Sequence, residues 1–171
     1  QTCALPILRI LRASFSGELC YEVNVPTGYG AAIWDAAMNH GDAFGVKPYG
    51  VESVMTMRIE KGFLHIGSDT DGTTVPGDVG WGHIAERKAA QFIGKRSLFR
   101  PHSTADGRHQ FIGLEPVDGD TPLHAGGHLT SRNGKASEGY LTSAAYSPSL
   151  DRYIALGLLR RGRDRMRSEE H

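Results

Sequence analysis

Two charged side chains stand where they could contact a ligand: Glu22 on a predicted strand and Arg58 on a predicted helix. A carboxylate can accept two N–H groups from the edge of a pterin or guanine-like ring, and such a pair both orients and binds the ring. A cation on the apolar face of a helix needs a carboxylate or a ligand anion beside it, because an unpaired buried charge costs about 3–5 kcal/mol. These residue types are therefore typical of a site for a small polar molecule.

Each of these side chains also has a purely structural interpretation. Most glutamates are exposed, and on that ground Glu22 faces water. The aliphatic stem of Arg58 can pack against the core while its guanidinium reaches solvent. The residues alone leave both interpretations open.

The element that would carry Glu22 is indicated by an alternation of apolar and polar residues over positions 15–26. A period of two over this length predicts a half-buried strand, with Glu22 on its polar face. The apolar face consists of Phe15, Leu19, Tyr21, Val23 and Val25.

Two helices are predicted after this strand. Thr27 can cap the first, which ends near Gly41. The second begins near Pro48 and ends at Gly62. Its apolar stripe consists of Val51, Val54, Met55, Ile59 and, on the same face, Arg58.

A loop rich in glycine and aspartate is predicted over residues 63–80, and long loops of this kind often border functional sites. Its Asp69 and Asp71 resemble the start of a calcium-binding loop, but the position that needs glutamate is Gly80. His124 and His128 flank glycines that break a helix, so they do not share a helical face. We therefore expect no metal site.

A second unit is predicted after a boundary rich in Pro, Ser, Asp and Gly, which gives domains over residues 8–103 and 104–166. Strand-like runs at 111–114, 127–130, 139–142 and 154–159, with an Asn133-Gly134 turn, predict a small antiparallel barrel. The predicted fold class is α+β.

The bulk composition narrows the function classes. Nineteen basic residues balance nineteen acidic ones, so no net charge attracts nucleic acid or an anionic membrane. No apolar run approaches the roughly 20 residues that span a bilayer, and no signal-peptide pattern is present. We expect a soluble, cytoplasmic protein with a small ligand.

Residues 4–7 and residues 167–170 can be encoded by DNA strings that are reverse complements over almost their whole length. We hypothesise that about seven residues at the start of the chain and five at its end are translated from a sequencing-library adapter, and we exclude them from the fold prediction. The remaining residues would then be an internal fragment of a longer protein.

Four segments, in their order and spacing, resemble the folate-binding aminomethyltransferase superfamily: residues 15–23, 48–52, 57–62 and 92–98. The resemblance continues through residues 146–150 and covers nearly all of residues 8–166. It implies the later half of the folate-binding domain, followed by the small β-barrel that closes the aminomethyltransferase fold.

Within that superfamily the chain resembles the C-terminal region of heterotetrameric sarcosine oxidase α subunits. Glycine-cleavage aminomethyltransferases usually carry an arginine where this chain has Val54, and iron–sulfur-assembly relatives carry Cys-Tyr where it has Phe63-Leu64. The resemblance implies transfer of a one-carbon unit from oxidised sarcosine to tetrahydrofolate. A glycine-cleavage-type aminomethyltransferase and a non-catalytic folate-binding or assembly module are the alternatives.

The resemblance also implies roles for particular residues. Glu22 matches the glutamate that holds the pterin edge, Phe15 an aromatic position near the folate, and Arg58 an arginine of the ligand site. The catalytic aspartate of the aminomethyltransferases lies in a preceding half-domain, so no catalytic residue is assigned and the fragment alone is expected to be inactive. Tetrahydrofolate is the implied cofactor, with FMN, FAD and NAD bound elsewhere in a parent complex that contains the other sarcosine oxidase subunits.

Overall fold

A computed structural model describes residues 8–131 and 133–166 of the 171-residue chain. The adapter hypothesis concerns ends that lie outside the described residues. The chain divides into two compact units, residues 1–57 and residues 58–171. The predicted boundary between residues 103 and 104 differs from this division and stays a prediction.

The first unit contains a two-stranded antiparallel sheet followed by a helix. Strand β1 (Arg9–Leu11) pairs with β2 (Glu22–Asn24), so that Leu11 lies opposite Glu22 and Arg9 opposite Asn24. A short 3-10 turn, Thr27–Tyr29, leads into helix α1 (Gly30–Gly41). The helix predicted after Thr27 is therefore confirmed, with the regular α-helix beginning at Gly30. The predicted cap is wrong, because Tyr29 is the N-cap residue of α1 and no side chain caps the helix.

The strand predicted over residues 15–26 is wrong in its length and burial, because only Glu22–Asn24 is extended and all of it is exposed. The preceding residues form a turn in which Gly17 has a φ of 85° and donates its N–H to Ser14 Oγ at 2.9 Å. Ser16 Oγ lies 3.2 Å from Cys20 Sγ in the same turn. Serine side chains that bond to nearby groups compete with a strand ladder, which an apolar–polar alternation does not reveal.

Helix α2 (Val51–Glu60) contains the division between the two units, so its last three residues belong to the second unit. Gly62, with a φ of 68°, lies just beyond its end and Phe63 N–H donates to Arg58 O at 2.8 Å, which closes the helix as predicted. The remaining elements are α3 (Gly82–Glu86), β3 (His109–Leu114), β4 (His128–Thr130), β5 (Ser137–Ser147) and β6 (Arg152–Arg160).

The four strands of the second unit form an antiparallel sheet in the order β3–β6–β5–β4. Strand β6 is central and almost fully buried, as expected for its continuous apolar run. Ile59 of α2 packs with Ile154 and Leu156 of β6, and Phe111 covers this cluster. The α+β class and the predicted strands are confirmed, including the β4–β5 pair on either side of Asn133-Gly134.

Across the described ranges, no helix has both the length and the apolar character needed to cross a membrane.

A long-range contact between Arg108 and Asp78 holds the loop that follows α2. Arg108 donates from Nε to Asp78 Oδ1 at 2.8 Å and from Nη2 to Asp78 Oδ2 at 2.6 Å. The same guanidinium donates to Thr73 O at 2.8 Å and to His102 O at 3.0 Å. Its hydrogen bond to Asp78 raises the pKa of Arg108 above the usual value, so the guanidinium keeps its charge at physiological pH.

We predict that Arg108→Lys lowers the free energy of unfolding by about 1–3 kcal/mol, because an ammonium cannot reproduce the two-pronged contact or satisfy both carbonyls. The matched control is Arg152→Lys, whose partner Glu115 is 60% exposed, and which should change stability by less than about 0.5 kcal/mol. Urea unfolding of both variants checks this. Equal losses would contradict the structural role of Arg108.

Candidate functional site

Glu22 lies on an exposed polar face of the first unit. Residues directly opposite each other in an antiparallel pair share a face, so Glu22 and Leu11 lie beside Asn24 and Arg9. Arg9 and Asn24 also line a depression of about 240 Å³. The face thus combines a carboxylate acceptor with guanidinium and amide donors, which is a suitable set for a polar ring with both donors and acceptors.

Phe15 lies in the turn that precedes β2. Its side chain is half-buried, and the adjoining Ser16 is only 3% exposed. The turn is fixed by the bond from Gly17 N–H to Ser14 Oγ and by the contact of Ser16 with Cys20. Phe15 and Glu22 therefore belong to one compact unit, and Phe15 is held by local hydrogen bonds rather than by a strand ladder.

Arg58 is buried, with a side chain that is 4% exposed. Its Nη1 donates to Asp69 Oδ2 at 2.5 Å and to Phe63 O at 3.2 Å, and its Nη2 donates to Ser143 Oγ at 2.5 Å. The interpretation that this guanidinium reaches solvent is wrong, because its counter-charge is an internal carboxylate. A contact between Arg58 and a ligand stays a prediction.

Asp69 is the centre of this buried network and is fully excluded from solvent. Its Oδ2 accepts from Arg58 and from His65 N–H at 2.8 Å. Its Oδ1 accepts from Thr142 Oγ1 at 2.5 Å and from Ser143 Oγ at 2.9 Å. Each oxygen therefore has two donors, which offsets the large cost of removing a carboxylate from water.

A bulge in β5 brings both hydroxyl groups to Asp69. The pairing of β5 with β6 shifts register between Leu141 and Ser143, so Thr142 is the extra residue. In a regular strand neighbouring side chains point to opposite faces. A bulge re-aims one of them, and here Thr142 and Ser143 contact the same carboxylate.

The residue pattern identifies neither Asp69 as the partner of Arg58 nor any site role for Thr142 and Ser143. In the sequence, Asp69 resembles only the start of a calcium-binding loop. The available signal was that an arginine on an apolar stripe needs a nearby carboxylate, and the loop directly after the helix supplies several. Nothing in the residue order identified a bulge in β5.

The exposed end of the loop is held by a different carboxylate. Asp71 Oδ1 accepts from Thr73 N–H and from Thr73 Oγ1, each at 2.7 Å. These bonds lower the pKa of Asp71, with the Thr73 side chain contributing most. They are typical of an aspartate turn. Within the described part of the chain, no group of three or more His, Cys, Asp or Glu side chains is arranged to hold a metal ion.

We predict that Asp69→Asn lowers the free energy of unfolding by about 3–5 kcal/mol, because it leaves the Arg58 charge buried without a counter-charge. Asp71→Asn is the matched control from the same loop, and its loss should be much smaller because that carboxylate is exposed. Urea unfolding monitored by circular dichroism compares the two. An Asp69→Asn variant as stable as the control would refute the central role of the buried pair.

Family models match both parts of the chain. The model of the GCVT N-terminal domain matches residues 1–89, and that of the glycine cleavage T-protein C-terminal barrel domain matches residues 109–170. The first matched range includes the long loop after α2, and the second includes all four strands β3 to β6.

Individual relatives agree with these matches. The sarcosine oxidase subunit alpha of Rhizobium meliloti is 42% identical over 160 residues, which is 91% of this chain and 16% of that protein. The aminomethyltransferase of Halothermothrix orenii is 32% identical over 151 residues, 88% of this chain and 41% of that protein. The crystal structure of glycine cleavage system aminomethyltransferase T from Bartonella henselae matches with a TM-score of 0.75 and 26% identity, over 90% of this chain and 42% of that one.

Proposed function

The chain belongs to the glycine cleavage T-protein family, and we propose that it is the folate-binding segment of a sarcosine oxidase α subunit. In this role it helps to transfer the one-carbon unit of oxidised sarcosine to tetrahydrofolate. The observation that carries the proposal is its greater identity to the sarcosine oxidase subunit than to the aminomethyltransferase, over nearly its whole length.

Glu22 is the proposed contact to the pterin edge. Its donor-rich neighbours, Arg9 and Asn24, support this assignment. Its exposure does not, because exposure is also what the structural interpretation of Glu22 predicts. A carboxylate that accepts two N–H groups fixes both the position and the rotation of the ring. Phe15 is the proposed apolar neighbour of the folate.

Arg58 has less freedom to contact a ligand. Both of its terminal nitrogens are bound to Asp69, Ser143 or Phe63 O. Its Nε is the one buried side-chain nitrogen or oxygen in the described residues that lacks a hydrogen-bond partner. A direct contact from Arg58 would therefore use Nε, while the rest of the guanidinium holds the loop that follows α2.

Placing the folate and excluding water are the proposed contributions of this segment to the reaction. The chain spans about a sixth of the sarcosine oxidase α subunits it matches, so we expect no turnover from it alone. FMN, FAD and NAD would bind elsewhere in the parent complex, and the other sarcosine oxidase subunits are its proposed partners. A cytoplasmic location stays a prediction.

Two other functions fit the family. A glycine-cleavage-type aminomethyltransferase is favoured by the matches to those enzymes, although Val54 stands where they usually carry an arginine. A non-catalytic folate-binding or assembly module would need the same Glu22 face. Only the sarcosine oxidase proposal requires flavin and sarcosine-dependent peroxide production in the parent complex.

We predict that Glu22→Gln weakens binding of 5-formyltetrahydrofolate by at least tenfold, because an amide offers one acceptor oxygen and no charge. The matched control is Glu52→Gln on α2, which should bind as the unchanged chain does. Fluorescence titration of the 171-residue chain measures all three. Equal affinity of Glu22→Gln and the unchanged chain would remove Glu22 from the site.

A graft tests the reaction. The matching segment of the Rhizobium meliloti α subunit is replaced by residues 8–166, and the chimaera is assembled with its partner subunits. We predict normal flavin content, sarcosine-dependent peroxide production, and folate-dependent capture of the one-carbon unit that falls at least tenfold in Glu22→Gln. A chimaera with full flavin and peroxide but no folate dependence, while the parent complex shows it, would contradict the proposed function.

A further inference from the structure

A cavity of about 440 Å³ lies in the second unit, between the loop at Gly77, the turn that precedes β3, and the chain after β6. Its volume is in the range of small-molecule sites. Charged and amide side chains dominate its lining, and they include Asp106, Arg108, Gln110, Arg161 and Asp164. This cavity shares no residue with the proposed folate site.

Most polar groups around the cavity already have a hydrogen-bond partner within the protein. The groups without such a partner are the ones that can contact a ligand. Arg108 is committed to Asp78 and to backbone carbonyls. Gln110 Oε1 accepts from Arg163 N–H at 2.8 Å, which leaves its Nε2 as a donor. Arg161 uses Nε for Asp164 Oδ2 at 3.0 Å, which leaves both terminal nitrogens. Asp106 has no hydrogen bond or ion pair to any other described residue.

The backbone at Arg161 is in a conformation that an arginine rarely adopts. Its φ is 52°, and the only other described residue besides glycine with a positive φ is Asp151. Aspartate tolerates a positive φ because its short polar side chain can hydrogen-bond to the nearby backbone, and the long side chain of arginine does not provide this compensation. The bond from Arg161 N–H to Arg108 O, at 3.1 Å, holds the conformation and keeps the residue at the cavity wall. Local strain of this kind is found preferentially at ligand sites.

We infer that this cavity binds the charged head group of a free α-amino acid. The terminal nitrogens of Arg161 and Nε2 of Gln110 donate to the carboxylate, for which a guanidinium is the best-matched partner. The carboxylate of Asp106 accepts from the ammonium group. A donor pair and an acceptor in one cavity select a zwitterion over an anion or a cation of the same size.

Glycine, the smallest α-amino acid, is the probe, with acetate and methylammonium as its two halves. Binding to the 171-residue chain is followed by the amide shifts of Gly107 and Gly162 in two-dimensional NMR. The expected dissociation constant for glycine is about 1–10 mM, which is reasonable for so small a ligand. Acetate and methylammonium should each bind at least tenfold more weakly.

Three variants distinguish a loss of glycine binding from a loss of folding stability. Arg161→Asn removes the guanidinium but keeps a residue that tolerates positive φ, so its melting temperature should not fall while glycine affinity drops at least tenfold. Asp106→Asn should give the same loss, and it breaks no hydrogen bond between described residues. Arg160→Asn, a neighbouring arginine outside the cavity lining, is the control and should bind glycine normally.

Several results would overturn the inference: no saturable shift by glycine at about 100 mM, acetate binding as tight as glycine binding, or an equal loss in Arg160→Asn. Should Arg161→Asn lower the melting temperature, Asp106→Asn decides, and unchanged glycine affinity in that variant refutes the site. None of these outcomes depends on folate binding, so the inference and the proposed function can fail separately.

Discussion

Burial of the Arg58 guanidinium beside the fully enclosed Asp69 is the interaction on which the second unit depends. Removing two charges from water costs several kcal/mol for each, and their attraction repays this only when the remaining donors and acceptors are also satisfied. Here the end of helix α2, the loop after it and strand β5 each supply part of the set. One carboxylate therefore determines how these elements meet.

This polar network complements a small apolar core. Ile59 of α2 reaches Ile154 and Leu156, and apolar contact of this kind is not directional. Hydrogen bonds to Asp69, by contrast, require the Thr142 bulge to occur at one register of β5. Apolar burial thus stabilises the packing of α2 on the sheet, while the buried carboxylate selects one arrangement among those that would bury similar area.

The sequence predicts the helices and strands better than it predicts the side-chain contacts between them. Helices α1 and α2 and strands β3 to β6 follow from apolar periodicity and from glycines at their ends, because both signals are local. The turn around Gly17 was missed because its hydrogen bonds come from serine side chains. The partners of Asp69 were missed because Thr142 and Ser143 lie far along the chain and depend on a bulge that no residue pattern encodes. Glu22 lies on a strand, β2, as predicted. The position of a residue on a strand does not determine which ligand group its carboxylate binds.

The loop after α2 is held at two points by the same kind of contact, an ion pair between an arginine and a buried or nearly buried aspartate. Asp69 is joined to Arg58 near its start and Asp78 to Arg108 near its end, and side-chain exposure is 6% or less for both aspartates. A lid that opens and closes would have to expose these carboxylates and their partners in every cycle, at the cost of unpaired buried charge. The loop is therefore a fixed wall of the second unit, and any selectivity it contributes comes from a preset shape rather than from closure around a ligand.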